Sequence, residues 1–262
     1  MCLVLLGWQM HPVYSLVVAA NRDEFYRMPT EPMAWRSMGG ARLLCGLDVR
    51  SGGTWMGMNT AGRLGVVTNV RRGRPIHGSA TPSRGLLVPK FAAGGTTPAE
   101  FAEQAVHDGP RFGGFNLLIG DRDELWWTSN RSGGRIEALA PGVHGLSNAA
   151  LDTGWPKVSS GTAEFAKVLD ADDGTDTWIG SYLDVLADRR MAPRRALPDT
   201  GVGLVLEKLL SARFVRMGVY GTRSSTVLRI RRDGRFDMTE RRFDRFGRRV
   251  GEITEFGMIV PS

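Results

Sequence analysis

The chain has 262 residues, 42% of them hydrophobic, and a formal net charge of +7. That balance fits a globular protein and excludes a disordered or low-complexity chain. Two cysteines are too few for a disulfide framework, and no window reaches the ~18 consecutive apolar residues of a membrane span. The start lacks a basic n-region, and Gln9, His11 and Pro12 break the apolar run early, so it does not read as a signal peptide. These features predict one domain over residues 1–262 in a reducing, cytoplasmic setting, with oligomeric state left open.

In chain order, Leu3-Val4-Leu5-Leu6 and Ser15 to Ala20 read as two strands joined around Gly7 to Pro12. This hairpin would bring Cys2 near Asn21-Arg22-Asp23-Glu24, read as a loop after the second strand. Further strands are predicted at Arg42 to Gly46, Thr54 to Met58 and Leu64 to Asn69, with breaks at Gly39-Gly40 and Gly52-Gly53. Residues 71–82 read as a polar loop. Ser83 caps a helix to about Ala93, and Thr97-Pro98-Ala99-Glu100 is a capping box for a helix to about His107. Strands follow at Gly113 to Gly120, Glu124 to Ser129, Arg135 to Leu139 and His144 to Ser147. Helices are predicted at 156–169, 177–189 and Gly203 to Arg213, with a mobile loop at 189–201. Strands return at Ser224 to Arg231, Arg235 to Arg242 and Glu252 to Met258, with a turn at Asp233-Gly234. Helices and strands do not alternate one to one, which argues against a doubly wound parallel sheet. The pattern predicts an α+β fold of mostly antiparallel sheets covered by helices.

Excess charge comes largely from arginine, much of it in pairs such as Arg71-Arg72, Arg194-Arg195 and Arg248-Arg249. No zinc-finger spacing or nucleic-acid-binding motif accompanies them, so they read as solvated surface charge, with no nucleic-acid partner. The four histidines have no ligand spacing, and no metal site is predicted.

Cys2 carries the most distinctive chemistry. If Met1 is trimmed, one residue presents both a thiol and an α-amine whose pKa lies near ~8. Such a residue supplies its own nucleophile and base. Around it stand seven short strings: Met1-Cys2, Ala20 to Phe25, Gly53 to Gly57, Thr68-Asn69, Leu146 to Asn148, Trp155 to Val158 and Tyr220 to Ser225. In kind and order they resemble the signatures of the NRDE family, also called the transport and Golgi organisation protein 2 family, over residues 1 to about 258. That family is similar to the N-terminal-nucleophile (Ntn) hydrolases of the penicillin V and bile-salt amidase type.

The resemblance implies an Ntn-hydrolase-like four-layer αββα sandwich. It implies Cys2 as nucleophile, Arg22 and Asp23 beside it, Asn69 and Asn148 as amides for an oxyanion, and Arg223 as a distal cation. Arg22 and Asp23 are adjacent here, whereas the amidases separate their counterparts. Two functions follow from the resemblance. One is binding or trafficking of haem, and of acyl-CoA or related lipids, with Asn21, Arg22, Asp23, Glu24 and Trp55 at the ligand and Trp8, Phe25 and Trp35 as apolar lining. The other is cleavage of an acyl amide through a Cys2 thioester. The family association favours the first, and the residues favour the second.

Overall fold

The computed structural model describes residues 2–71, 82–131 and 133–260. The first strands are β1 (Cys2–Trp8), β2 (Tyr14–Phe25), β3 (Thr30–Met38), β4 (Ala41–Asp48), β5 (Met56–Asn59) and β6 (Leu64–Asn69). Helices α1 (Leu87–Ala93) and α2 (Pro98–His107) follow, then β7 (Phe115–Gly120), β8 (Leu125–Ser129), β9 (Ile136–Ala138) and β10 (Gly142–Leu146). Next come α3 (Pro156–Ala171), α4 (Ile179–Leu186) and α5 (Leu204–Leu209), and the chain closes with β11 (Tyr220–Arg231), β12 (Arg235–Phe243) and β13 (Arg249–Met258). Among the described residues the chain forms two compact units. Residues 2–27, 71 and 141–256 make the first, and 28–70, 82–131, 133–140 and 257–260 make the second.

The first unit is built on a six-stranded sheet of order β10-β1-β2-β11-β12-β13. The predicted hairpin is there: β1 and β2 pair antiparallel from Trp8↔Leu16 to Cys2↔Arg22. One strand face points its side chains at helices. Leu3, Leu5, Val17, Ala19 and Val227 pack with Val158, Phe165 and Leu169 of α3 and Tyr182, Leu183 and Leu186 of α4. The alternate residues Val4, Leu6, Val18 and Ala20 are buried too. This is why both strands read as continuous apolar runs. Two glycines let α3 lie close to the sheet. A Cβ on Gly7 would fall 2.5 Å from Leu169, and one on Gly145 would fall 2.6 Å from Thr162 and 2.7 Å from Val158.

The second unit is a seven-stranded sheet of order β3-β4-β5-β6-β7-β8-β9, antiparallel at every pairing. Leu43, Cys45, Val67, Phe115, Leu117 and Ile119 form its core with Leu87, Val88 and Phe91 of α1 and Phe101 and Ala105 of α2. Cys45 is fully buried there. The Thr97 capping box forms as predicted and starts α2 at Pro98.

The α+β expectation of antiparallel sheets flanked by helices holds, and several details differ. Strand β3 has no counterpart in the sequence reading. It is an edge strand with Pro32 at a register shift between Glu31 and Ala34, the positions where a sheet tolerates proline. Asn21 to Glu24 are not a loop but part of β2, which runs on to Phe25. Strand β11 begins at Tyr220 rather than Ser224, because Tyr220 to Arg223 carry no apolar alternation, yet Tyr220, Gly221 and Thr222 pair with β2. Helix α5 stops at Leu209, short of the predicted Arg213. The predicted loop at 71–82 lies outside the described residues except for its two ends. The segment read as a mobile loop at 189–201 is irregular, yet Ala192 N–H donates to Ser211 and Thr200 bonds Glu207.

Because α3 depends on Gly145 for its close approach, Gly145→Leu is expected to overpack this contact and cost about 1–3 kcal/mol. Urea denaturation followed by circular dichroism checks this; an unchanged midpoint would mean that α3 is free to shift.

Candidate functional site

Strand register brings the site together in the first unit. Cys2 pairs directly with Arg22 at the open end of the β1–β2 hairpin. The Asp23 backbone N–H donates to the Cys2 sulfur. On the other side of β1, Ser147 Oγ donates to the Cys2 carbonyl at 2.8 Å and to Asn148 Oδ1 at 3.3 Å. Asn148 is fully buried, and its own carbonyl accepts from Arg71 N–H at 2.8 Å. Cys2 and the sequence-distant string Leu146 to Asn148 are thus neighbours because β10 and β1 pair at Val4↔Leu146.

Asp23 is 2% exposed. Its Oδ1 accepts from Thr222 Oγ1 at 2.6 Å, and its backbone carbonyl accepts from Tyr220 OH at 3.0 Å. Thr222 is held in turn by Val215, whose N–H donates to the same hydroxyl at 2.9 Å. The β2–β11 register then slips: Thr222 pairs with Asp23, but Ser224 pairs with Arg22. Arg223 is the extra residue of that bulge, a device that re-aims a side chain. Its Nη1 donates to the Phe25 carbonyl at 3.1 Å, and its guanidinium lies 5.4 Å from the Tyr26 ring centroid. Burial pushes Arg223 below the usual arginine range, and the nearby Arg22 cation adds to this.

The other predicted residues fall elsewhere. Asn21 is a structural tie: its amide donates to the Leu186 and Arg213 carbonyls, and its carbonyl accepts from Ser225 Oγ. Glu24 accepts from the Phe25 N–H at 2.8 Å. Asn69 ends β6 in the second unit, paired with Phe115. Trp55 also belongs to the second unit, where it lies over Gly46; a Cβ there would meet its ring at 2.2 Å. Trp8 is buried in the first unit.

Three residues had no role in the sequence reading although they stood inside its quoted strings. Thr222 and Tyr220 fix Asp23 as described. The third is Lys157, the second residue of α3 after Pro156, and it is 3% exposed. Its Nζ has no hydrogen-bond partner among the described residues. Near it, Arg71 forms an ion pair with Glu207 at 2.9 Å and lies over the Trp155 ring at 4.7 Å.

Burial governs the electrostatics. It pushes the Cys2 thiol above its ordinary value, with the Asp23 charge adding and the Asp23 N–H and Arg22 opposing. Burial also raises Asp23, opposed by Lys157 and the Thr222 hydrogen bond. It lowers Lys157, opposed by Asp23. Burial thus shifts all three groups toward their neutral forms, and the opposite charges of Asp23 and Lys157 each oppose that shift.

Among the described residues, no group of three or more His, Cys, Asp or Glu side chains is placed to hold a metal ion, and no helix is long and apolar enough to cross a membrane. His11 is a turn residue bonded to the Asp172 carbonyl at 2.8 Å, and His144 pairs with Asp152 at 2.8 Å.

Among solved structures, the chain is similar to penicillin V acylase from Agrobacterium tumefaciens (TM-score 0.48, 14% identity, 90% of this chain and 82% of that one). It is similar to a mutant conjugated bile acid hydrolase from Clostridium perfringens (TM-score 0.49, 11% identity, 91% and 88%). In sequence it is 33% identical over 259 residues to the Transport and Golgi organization protein 2 homolog of Homo sapiens, covering 92% of each chain. It is 32% identical over 259 residues to the Transport and Golgi organization 2 homolog of Mus musculus, again covering 92% of each. The model of the Transport and Golgi organisation 2 family matches residues 1–245, and with these relatives it establishes that the chain belongs to that family.

Proposed function

We propose that this chain is an N-terminal-cysteine amidohydrolase that cleaves a C–N amide bond through a thioester at Cys2. One observation carries the reading: the Cys2 sulfur accepts the Asp23 N–H at a strand end where Arg22 is its direct cross-strand partner. A thiol raised by burial is inert until a base takes its proton. Removal of Met1 supplies that base as the Cys2 α-amine, and the buried Asp23 carboxylate orients it. The amine takes the thiol proton, and sulfur attacks the acyl carbon. The oxyanion takes a hydrogen bond from the Asn148 amide. On collapse the C–N bond breaks and the leaving amine takes the proton. Water then attacks the thioester, with the α-amine as base, and releases a carboxylic acid and the thiol.

A second reading is the binding of an apolar ligand with an anionic group, acyl-CoA or haem. It draws on two arginines at the β2–β11 bulge, Arg22 and Arg223, a residue type that suits phosphate or propionate oxygens. On this reading Met1 can stay in place, and the Cys2 thiol is part of the pocket wall.

Three outcomes separate the readings. Under the first, intact mass shows loss of Met1, and Cys2→Ala lowers hydrolysis of an acyl-amide panel by roughly a thousandfold or more. Turnover that survives Cys2→Ala, or a parent that cleaves nothing, removes this reading. Under the second, haemin or a long-chain acyl-CoA binds with Kd of about 10 μM or tighter in calorimetry, and Arg22→Ala with Arg223→Ala weakens it tenfold or more. Absence of binding by both probes rules it out.

The thiol also has a pH signature. Its folded value lies above the ordinary 9.0, so the protonated form is the one the fold favours. The stability this contributes is complete below the unfolded value and is lost as pH rises through the folded one. In a chain with its N-terminus blocked by a tag, iodoacetamide alkylation of the Cys2 peptide should reach half its maximal rate above pH 9.0. Arg22→Ala should move that midpoint higher. A midpoint below the ordinary value contradicts the assignment of burial as the dominant effect.

A further inference from the structure

A sheet edge is a row of backbone donors and acceptors ready to pair, and folds blunt it with short strands, proline, bulges or charge. Three of the four edges of the two sheets are blunted in this way. Strand β10 has 5 residues, β9 has 3, and β3 carries Pro32 and a register shift. The fourth edge is β13, which runs for 10 residues without a proline. Among the described residues it has a hydrogen-bonded strand, β12, on one side alone. None of its residues is buried, and Val250 and Phe256 are 56% and 64% exposed. Its residues 249–256 belong to the first unit.

Charge guards this edge weakly, because part of it is neutralised within the chain. Arg241 Nε donates to Glu252 at 2.5 Å, and Arg249 pairs with the same carboxylate at 3.0 Å. Thr254 bonds Thr239 of β12 at 2.9 Å. The strand is also polarised: Arg249 opens it, and Glu252 and Glu255 follow. An antiparallel copy of the strand sets a basic start beside an acidic second half.

We propose that β13 is the docking edge for a second copy of this chain, paired antiparallel about a two-fold axis at Ile253. The interface is isologous, the same edge serving both copies, and it joins the two six-stranded sheets into one. It does not depend on the chemistry of Cys2. Residues 250, 252, 254 and 256 share one strand face. Pairing must keep the faces of the two copies in step, so the axis passes at a residue and not between two. With the axis at Ile253, Val250 faces Phe256 of the second copy, Glu252 faces Thr254, and Ile253 faces itself. Arg249 then lies diagonal to Glu255 of the second copy, a favourable charge pair. The adjacent registers fit worse. An axis at Glu252 sets that carboxylate against its own copy, and an axis at Thr254 sets Glu252 against Phe256.

Sedimentation velocity of the full chain over a range of concentrations tests this. One strand edge is a small interface, so the expected Kd is about 1–100 μM. Val250→Lys and Phe256→Glu should each weaken association tenfold or more, because each sets a charge against an apolar side chain of the second copy. The double variant should return to within about threefold of the parent, since lysine then meets glutamate in both halves of the interface. Within one chain the two positions are six residues apart, roughly 20 Å along a strand, so no pairing inside the chain can produce that recovery. Both side chains are exposed, so the variants should keep the circular dichroism of the parent. A parent that stays monomeric at about 500 μM, single variants that associate like the parent, or a double variant no stronger than the singles overturns the proposal.

Discussion

The hydrogen bond from the Thr222 hydroxyl to the Asp23 carboxylate is the contact on which the rest of the site depends. It locks β11 to β2 at the point where a buried acid would otherwise cost most. A carboxylate sealed from water tends to take up a proton unless donors and cations face it. Thr222 supplies a donor, and Val215 fixes Thr222 by bonding both its hydroxyl and its N–H. With Asp23 held, its backbone N–H is aimed at the Cys2 sulfur. The next residue on β11 is forced out as a bulge, which delivers Arg223 to the neighbourhood of Arg22.

The second constraint is the distance between helix and sheet. Large residues at positions 7 and 145 would lift α3 away from β1 and β10. The glycines permit contact, and contact brings the first turn of α3, with Lys157, onto the sheet, where its side chain is buried. The apolar packing of Leu5 with Val158 and Phe165 and the burial of Lys157 are thus two results of one geometry. Hydrophobic burial stabilises this layer by roughly 1.5–3 kcal/mol per large side chain, enough to tolerate one costly buried polar group beside it.

The apolar runs and turn signals made much of the fold legible. The β1–β2 hairpin, the capping box at Thr97 and the return to strands at the end of the chain all follow from local periodicity. Strand β3 was not legible, because an edge strand with one wet face and a proline shows no clean alternation. The extension of β2 through Asn21 to Glu24 was hidden for a related reason. Four polar residues in a row read as a loop, yet β11 pairs with all four, β1 pairs with Asn21 and Arg22, and Asn21, Arg22 and Asp23 are buried.

For the site, the sequence by itself determined the inventory: a cysteine at position 2, an Arg-Asp pair twenty residues on, and the strings around Asn148, Lys157 and Arg223. Residue type and local spacing are enough for that, because each string is read within a few residues of itself. Only the tertiary structure decided which of them share a site and in what state of charge. Asn21 became a tie to α4, Thr222 became the partner of Asp23, and Lys157 became a buried lysine. Those outcomes depend on strand register, on a single bulge and on the approach of a helix. Each depends on contacts between different elements, some more than a hundred positions apart, and so none is written in the local pattern of the chain.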